Sequence, residues 1–163
     1  MFPRVNTAEE AAACVAAMRY PPDGVRGVAT IVRAAGYGAH FSDYRTDSKT
    51  NLLTIIQIES AEAVENVEAI AAVEGVDVLF VGPMDLSTSL GIFRQYDHPL
   101  FIDALHKTLD AARRHNRAAG ILLPSAATAS HYREMGFRFI TAGTDVMLLK
   151  AAATQLLEQL RNA

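Results

Sequence analysis

Three polar side chains stand where the surrounding sequence is apolar. In "IIQIES" (55–60), Gln57 and Glu59 interrupt a run of isoleucines, and in "VDVLFVGPMDLS" (76–87) Asp85 follows closely on an apolar strand-sized run. Side chains alternate along a strand, so Ile55, Gln57 and Glu59 share one face while Thr54, Ile56 and Ile58 share the other. If the second face packs on helices, the first looks inward, and Glu59 lies at the carboxyl end of its strand, where parallel α/β folds gather reactive groups. Glu59 reads equally as the first solvated residue after the strand, capping the next helix near Ser60. Asp85 then occupies the equivalent position on the neighbouring strand. Adjacent strands lie about 4.8 Å apart, so the two carboxylates can share one divalent cation. A pair of carboxylates with the other positions left to water and substrate suits Mg²⁺ or Mn²⁺. Without a cation the two charges repel.

The elements that must position these groups alternate along the chain. "LLTIIQI" (52–58), "VDVLFVG" (76–82), "AAGILLP" (118–124) and "FRFITAG" (137–143) are short, apolar and bounded by Gly, Pro or Asp. Helical periodicity lies between them. In 61–73, Ala63, Val67, Ile70 and Ala71 form one stripe with Glu62, Glu65 and Glu68 off it; in 98–116 the stripe runs through Leu100, Phe101, Ala104, Leu105, Leu109 and Ala112. "DVMLLKAAATQLLEQLRNA" closes the chain. "MFP" resembles the end of a strand, followed by a helix capped by Asn6 or Thr7 with Glu9 or Glu10 three residues on. The expected fold is α/β: a strand stub and four full parallel strands alternating with helices, either about half of an eight-stranded barrel or a small open sheet. Residues 20–51 contain two prolines and four glycines. They are expected to be irregular apart from a short turn near 30–35, and a stretch of that length is more often functional or interfacial than filler.

Composition narrows the classes. The 163 residues suit one domain, 1–163, and 50% hydrophobic content supplies a core. A formal net charge of −3, with 12 Arg and 3 Lys and no basic run, argues against a nucleic-acid partner. No apolar stretch approaches the roughly 20 residues of a membrane span, so a soluble, cytoplasmic protein is expected. Cys14 has no partner for a disulfide or a CxxC metal site and reads as a small buried hydrophobe on a helix.

"QIES", "VEGVDVLFVGPMDLS" and "RYPPDGVRG", in this arrangement, resemble the HpcH/HpaI aldolases, metal-dependent class II pyruvate aldolases that include 4-hydroxy-2-oxoheptanedioate and 2-keto-3-deoxy sugar-acid aldolases. The resemblance runs from the first residues to the last and implies the C-terminal portion of a (β/α)₈ TIM barrel. It also implies Glu59 and Asp85 as ligands of a divalent metal, Mg²⁺ or Mn²⁺ with Co²⁺ as a further candidate, and Gln57 and the backbone at Met84 as contacts of a 2-oxo acid of pyruvate type. The expected activity is carbon–carbon lysis of 4-hydroxy-2-oxo acids to pyruvate and an aldehyde, with the cation polarising the keto oxygen. An imine mechanism needs a lysine inside the barrel, and Lys49, Lys107 and Lys150 all lie off the strands. The family's catalytic histidine and arginine belong to the N-terminal part and map onto no residue here. Of the histidines, His98, His106, His115 and His131 read as structural or solvated, leaving His40 to test as a stand-in base. Two alternatives accompany the aldolase reading: a noncatalytic truncated remnant or fragment of a longer protein that keeps the fold and self-associates, and a citryl-CoA lyase type subunit, which the scarcity of lysines disfavours.

A half barrel leaves strand edges open and an inward face, with Val78 or Leu79 and Ile121 or Leu122, without a partner layer. A homo-oligomer is therefore expected, with the apolar terminal helix carrying Met147, Leu148, Leu156, Leu157 and Leu160 as its contact. Weaker signals are Pro124 and Ser125, which line the site or cap the next helix; "TAGTD" (141–145), whose amides at a helix N-terminus hold a carboxylate or whose Thr144 or Asp145 is simply an N-cap; and Arg26 as an anion anchor or part of the loop architecture.

Overall fold

The computed structural model describes residues 1–123 and 125–162. Four strands, β1 (Ile55–Ile58), β2 (Val78–Val81), β3 (Ala118–Leu122) and β4 (Phe139–Thr141), form one sheet in the order β1-β2-β3-β4, every pair parallel. Phe2 adds a parallel bridge to Ile56, its N–H reaching the Ile55 carbonyl at 2.8 Å. "MFP" is thus the strand stub that its sequence suggests.

Among the described residues, eight α-helices connect and flank the strands: α1 (Ala8–Met18), α2 (Phe41–Asn51), α3 (Ala61–Glu65), α4 (Val67–Ala72), α5 (Pro83–Ser89), α6 (Pro99–Arg114), α7 (Ala129–Met135) and α8 (Asp145–Arg161). This is the strand–helix repeat of a parallel α/β fold. Thr7 caps α1 by accepting from the Glu10 amide at 3.2 Å, while Glu10 accepts from the Asn6 amide at 2.7 Å, so helix entry is fixed at both ends of one turn. Residues 61–73 are two helices rather than one, because Asn66 leaves helical geometry (φ −92°, ψ 3°). The apolar stripe survives this break: Ala63, Val67, Ile70 and Ala71 are all buried.

The two sheet faces are distinct. Ile56, Ile58, Leu79, Val81, Ala119 and Ile121 pack beneath α1, α4 and α6 in the main core with Phe101 and Leu105. Ile55, Val78 and Phe80 form a second, smaller cluster with Ala118 and Phe139 against it. This assigns Val78 and Leu122 to the inward face and Leu79 and Ile121 to the helix side. The inward surface is covered at Val78 and Phe80, each only 3% exposed, and remains open at Leu122, 36% exposed, so the expectation of an uncovered inward face is corrected only in part. Curvature brings the rings of Phe80 and Phe139 edge to face, 6.0 Å between centroids, and Gly120 leaves room for them: a β-carbon there would lie 2.7 Å from Phe80 Cδ2.

The segment 20–51 departs from expectation. A turn at Arg33–Gly38 lies where one is anticipated, but 41–51 is the α-helix α2. All four glycines of the segment precede it. No residue of α2 is buried, so the helix has no apolar stripe from which to be read. Arg26 belongs to the architecture of this segment, its Nη2 donating to the Tyr44 hydroxyl at 2.7 Å and its guanidinium lying over the rings of Tyr20 and Tyr44. Lys49 falls in the last turn of α2, paired with Asp23, rather than in a loop.

Candidate functional site

Glu59 directly follows β1. The β1–β2 register sets Ile58 against Val81, which places Glu59 beside Gly82 at the strand tips. Asp85 is therefore not the register equivalent of Glu59; it lies three residues beyond Gly82, in the first turn of α5. Pro83 at the start of α5 favours helix from that point, and the chain turns before the aspartate is reached.

Both carboxylates nevertheless line one cavity of about 280 Å³, with Arg4, Asn6, Ser60, Thr88 and Ser89. Glu59 is only 7% exposed, which removes the reading of a solvated residue after the strand. The cap of α3 is Ser60, whose hydroxyl accepts from the Ala63 amide at 3.0 Å and donates to Asn6 Oδ1 at 2.5 Å. Glu59 Oε1 accepts the Arg4 backbone N–H at 2.7 Å. Among the described residues no protein donor reaches Oε2, which faces Gly82. Burial of a carboxylate with one amide partner is unfavourable unless further positive charge meets it. Asp85 is exposed at the cavity wall.

Gln57 lies on the same face as Glu59 and is half-buried; a β-carbon on Gly82 would stand 3.7 Å from its Nε2. Gln57 and Glu59 thus converge on the one glycine at this rim, but Gln57 does not line the cavity. Met84 is 40% exposed and faces a neighbouring apolar cavity of about 450 Å³, formed with Pro83, Arg94, Tyr96, Leu122 and Leu123. Its carbonyl accepts from the hydroxyls of Ser87 and Thr88 at 3.0 and 2.8 Å.

The donor chemistry fits a hard divalent cation. Glu59 and Asp85 line one cavity, and no group of three or more His, Cys, Asp or Glu is gathered among the described residues. Such a set leaves most coordination positions to water and substrate, the pattern preferred by Mg²⁺ over a full protein cage.

The histidines lie elsewhere. His40 precedes α2, exposed, with its ring packed toward Gly36, and is absent from the cavity wall. His98 caps α6, His115 meets Glu68, and His131 stacks edge-on to Tyr132. Ser125 caps the turn that follows β3, and Thr144 caps α8 by accepting from the Met147 amide; Pro124 lies outside the described residues. Lys107 and Lys150 lie on α6 and α8, so with Lys49 on α2 no lysine stands on a strand.

Arg4 lines the cavity without having been legible as a candidate from the sequence. The only signal was its place between the "MFP" stub and the capped start of α1. Nothing local shows that the strand-end backbone turns toward Glu59, 55 positions away.

The HpcH/HpaI aldolase/citrate lyase family model matches residues 1–152. The chain is 46% identical over 156 residues to a hydroxypyruvate/pyruvate aldolase of Chromohalobacter salexigens, covering 95% of this chain and 61% of that one. It is 40% identical to a 5-keto-4-deoxy-D-glucarate aldolase of Escherichia coli, covering 96% and 60%. A solved HpcH/HpaI aldolase/citrate lyase family protein from Burkholderia cenocepacia superposes with a TM-score of 0.86 at 43% identity, over 99% of this chain and 64% of that one. Less than two thirds of each of these relatives is spanned.

Proposed function

The chain belongs to the HpcH/HpaI aldolase/citrate lyase family, and on that premise we propose that it is the metal-holding part of an aldolase that cleaves 4-hydroxy-2-oxo acids to pyruvate and an aldehyde. The observation that carries this reading is the shared cavity of Glu59 and Asp85, with Glu59 buried and its Oε2 free of protein donors. Glu59 and Asp85 are the proposed ligands of a divalent cation, Mg²⁺ or Mn²⁺. When bound, such a cation supplies Lewis-acid polarisation of the 2-oxo carbonyl.

The chain's own residues act by placement. The Arg4 amide holds one Glu59 oxygen in place, and the missing side chain of Gly82 leaves the other unobstructed. Gln57, on the same face, is proposed to hydrogen-bond the 2-oxo acid at the cavity rim, and the backbone beside Met84 to complete its contact. The apolar cavity beyond Met84 is suited to the less polar part of a substrate. The exposed apolar residues of α8 are proposed to pack against further copies of the chain.

One observation favours a second reading, a noncatalytic self-associating remnant: among the described residues, no histidine lines the cavity. A coupled assay of pyruvate release from a 4-hydroxy-2-oxo acid, with and without EDTA, separates the two. The aldolase reading predicts turnover that EDTA abolishes and Mn²⁺ restores. A folded sample that binds the cation yet releases no pyruvate supports the remnant.

A further inference from the structure

The cavity of the two carboxylates is also lined by a permanently charged side chain, Arg4. Arg4 has φ 54°, in the left-handed region that residues with side chains use sparingly and that, where found, often marks a functional constraint. With the backbone so turned, its N–H meets Glu59 Oε1 while its side chain lines the cavity. Arg26 is engaged by Tyr44, Arg113 by Asp110, Arg114 by Glu68, and Arg117 by the carbonyls of Ala71 and Val73, whereas Arg19, Arg33, Arg94, Arg133 and Arg161 have no such partner among the described residues; what sets Arg4 apart is its place in the cavity of Glu59 and Asp85. The Arg4 guanidinium has no hydrogen bond and no acid within 4.0 Å among the described residues. Its donors remain available, in the planar fork that matches a carboxylate.

Charge balance says what they are for. Two carboxylates with one divalent cation are neutral, and a 2-oxo acid brings a further negative charge into a partly enclosed cavity. We propose that Arg4 is the residue that anchors the carboxylate of the 2-oxo acid, a role that rests on the functional reading above. The side chain's charge then acts in opposite directions on the two ligands. It attracts the substrate anion and opposes the divalent cation beside it.

Arg4→Met keeps the amide that holds Glu59 and the same backbone demand, while Arg4→Lys keeps the charge without the fork. Mn²⁺ is titrated into wild type and both variants by electron paramagnetic resonance. Oxalate, a stable planar dicarboxylate of pyruvate's size, is then titrated calorimetrically into each protein at saturating Mn²⁺, and circular dichroism confirms folding. Loss of a charged, forked contact predicts oxalate binding weaker by about tenfold or more in Arg4→Met, with Arg4→Lys between it and wild type. Removal of a neighbouring positive charge predicts Mn²⁺ binding tighter by about two- to threefold in Arg4→Met. Oxalate affinity within twofold of wild type overturns the proposal, as does a parallel weakening of Mn²⁺ and oxalate, which would make Arg4 a support for Glu59 alone. A wild type that binds Mn²⁺ but no oxalate overturns the role of Arg4 and leaves the cation site standing; one that binds neither overturns both.

Discussion

Gly82 lies so close to Glu59 that a β-carbon added to it would fall 2.7 Å from Oε2 and 3.2 Å from the glutamate's own Cβ. Gly82 has φ −97°, which any residue adopts, so its requirement is for space. Gly82→Ala is expected to push the Glu59 carboxylate off its place. The cost is about 1–3 kcal/mol of stability, as for other overpacked buried sites, with Mn²⁺ affinity reduced about tenfold or more. Chemical denaturation and a metal titration of the variant check both. Retention of wild-type metal affinity would show that the carboxylate position is not what matters.

Gly120 plays the same part on the inward face of the sheet. A side chain there would meet Phe80 Cδ2 at 2.7 Å, the Phe139 carbonyl at 3.0 Å and Val78 Cγ1 at 3.1 Å. Two of these neighbours are rigid, so Gly120→Ala is expected to destabilise by about 1–3 kcal/mol. The shift in urea midpoint measures this, and a neutral result would mean that the inner aromatic cluster yields easily.

The acid limb of stability has an identifiable contributor. Glu68 on α4 receives three hydrogen bonds from Arg114 at 2.6–3.2 Å and lies 2.7 Å from His115 Nε2, tying α4 to the end of α6. The bonds from Arg114 first, and from His115 second, hold its carboxyl below the ordinary value of 4.5. A carboxyl lowered by folding contributes stability above its unfolded value and loses it as pH falls through the folded one. Glu68→Gln is therefore expected to be less stable than wild type at pH 6, with the difference shrinking below about pH 4.5. Urea midpoints of both proteins from pH 6 to 3 test this; a difference that stays constant with pH would contradict it.

The terminal helix predicts association. None of the residues of α8 is buried, and Leu148, Leu149 and Leu160 are 68%, 73% and 68% exposed. A contiguous apolar surface of this kind marks a contact. Light scattering is expected to give a mass of about two chains or more, and Leu156→Glu with Leu160→Glu to lower it. A monomeric wild type would refute this.

Much of the architecture was legible because buried parallel strands and amphipathic helices leave apolar signatures. The β1 run, the stripe through Ala63, Val67, Ile70 and Ala71, and the cap at Thr7 all lie where the residues indicate. Helix α2 was not legible, since "FSDYRTDSKTN" buries nothing and carries no stripe. Glu59 and Asp85 stand out by type and position and line one cavity, but the register was not legible: the early turn at Gly82-Pro83 puts a glycine where an aspartate was expected. Arg4 was hidden because its role depends on a backbone turn and a partner distant in sequence.

Glu59 and Asp85 are proposed to grip one ion together, and a Mn²⁺ titration of the wild type, Glu59→Gln and Asp85→Asn tests this directly. The prediction is about one equivalent bound by wild type and affinity at least about tenfold weaker in each variant, with the double variant little worse than the singles. Absence of binding in the wild type, or variants that bind Mn²⁺ as tightly as it does, would contradict the shared site.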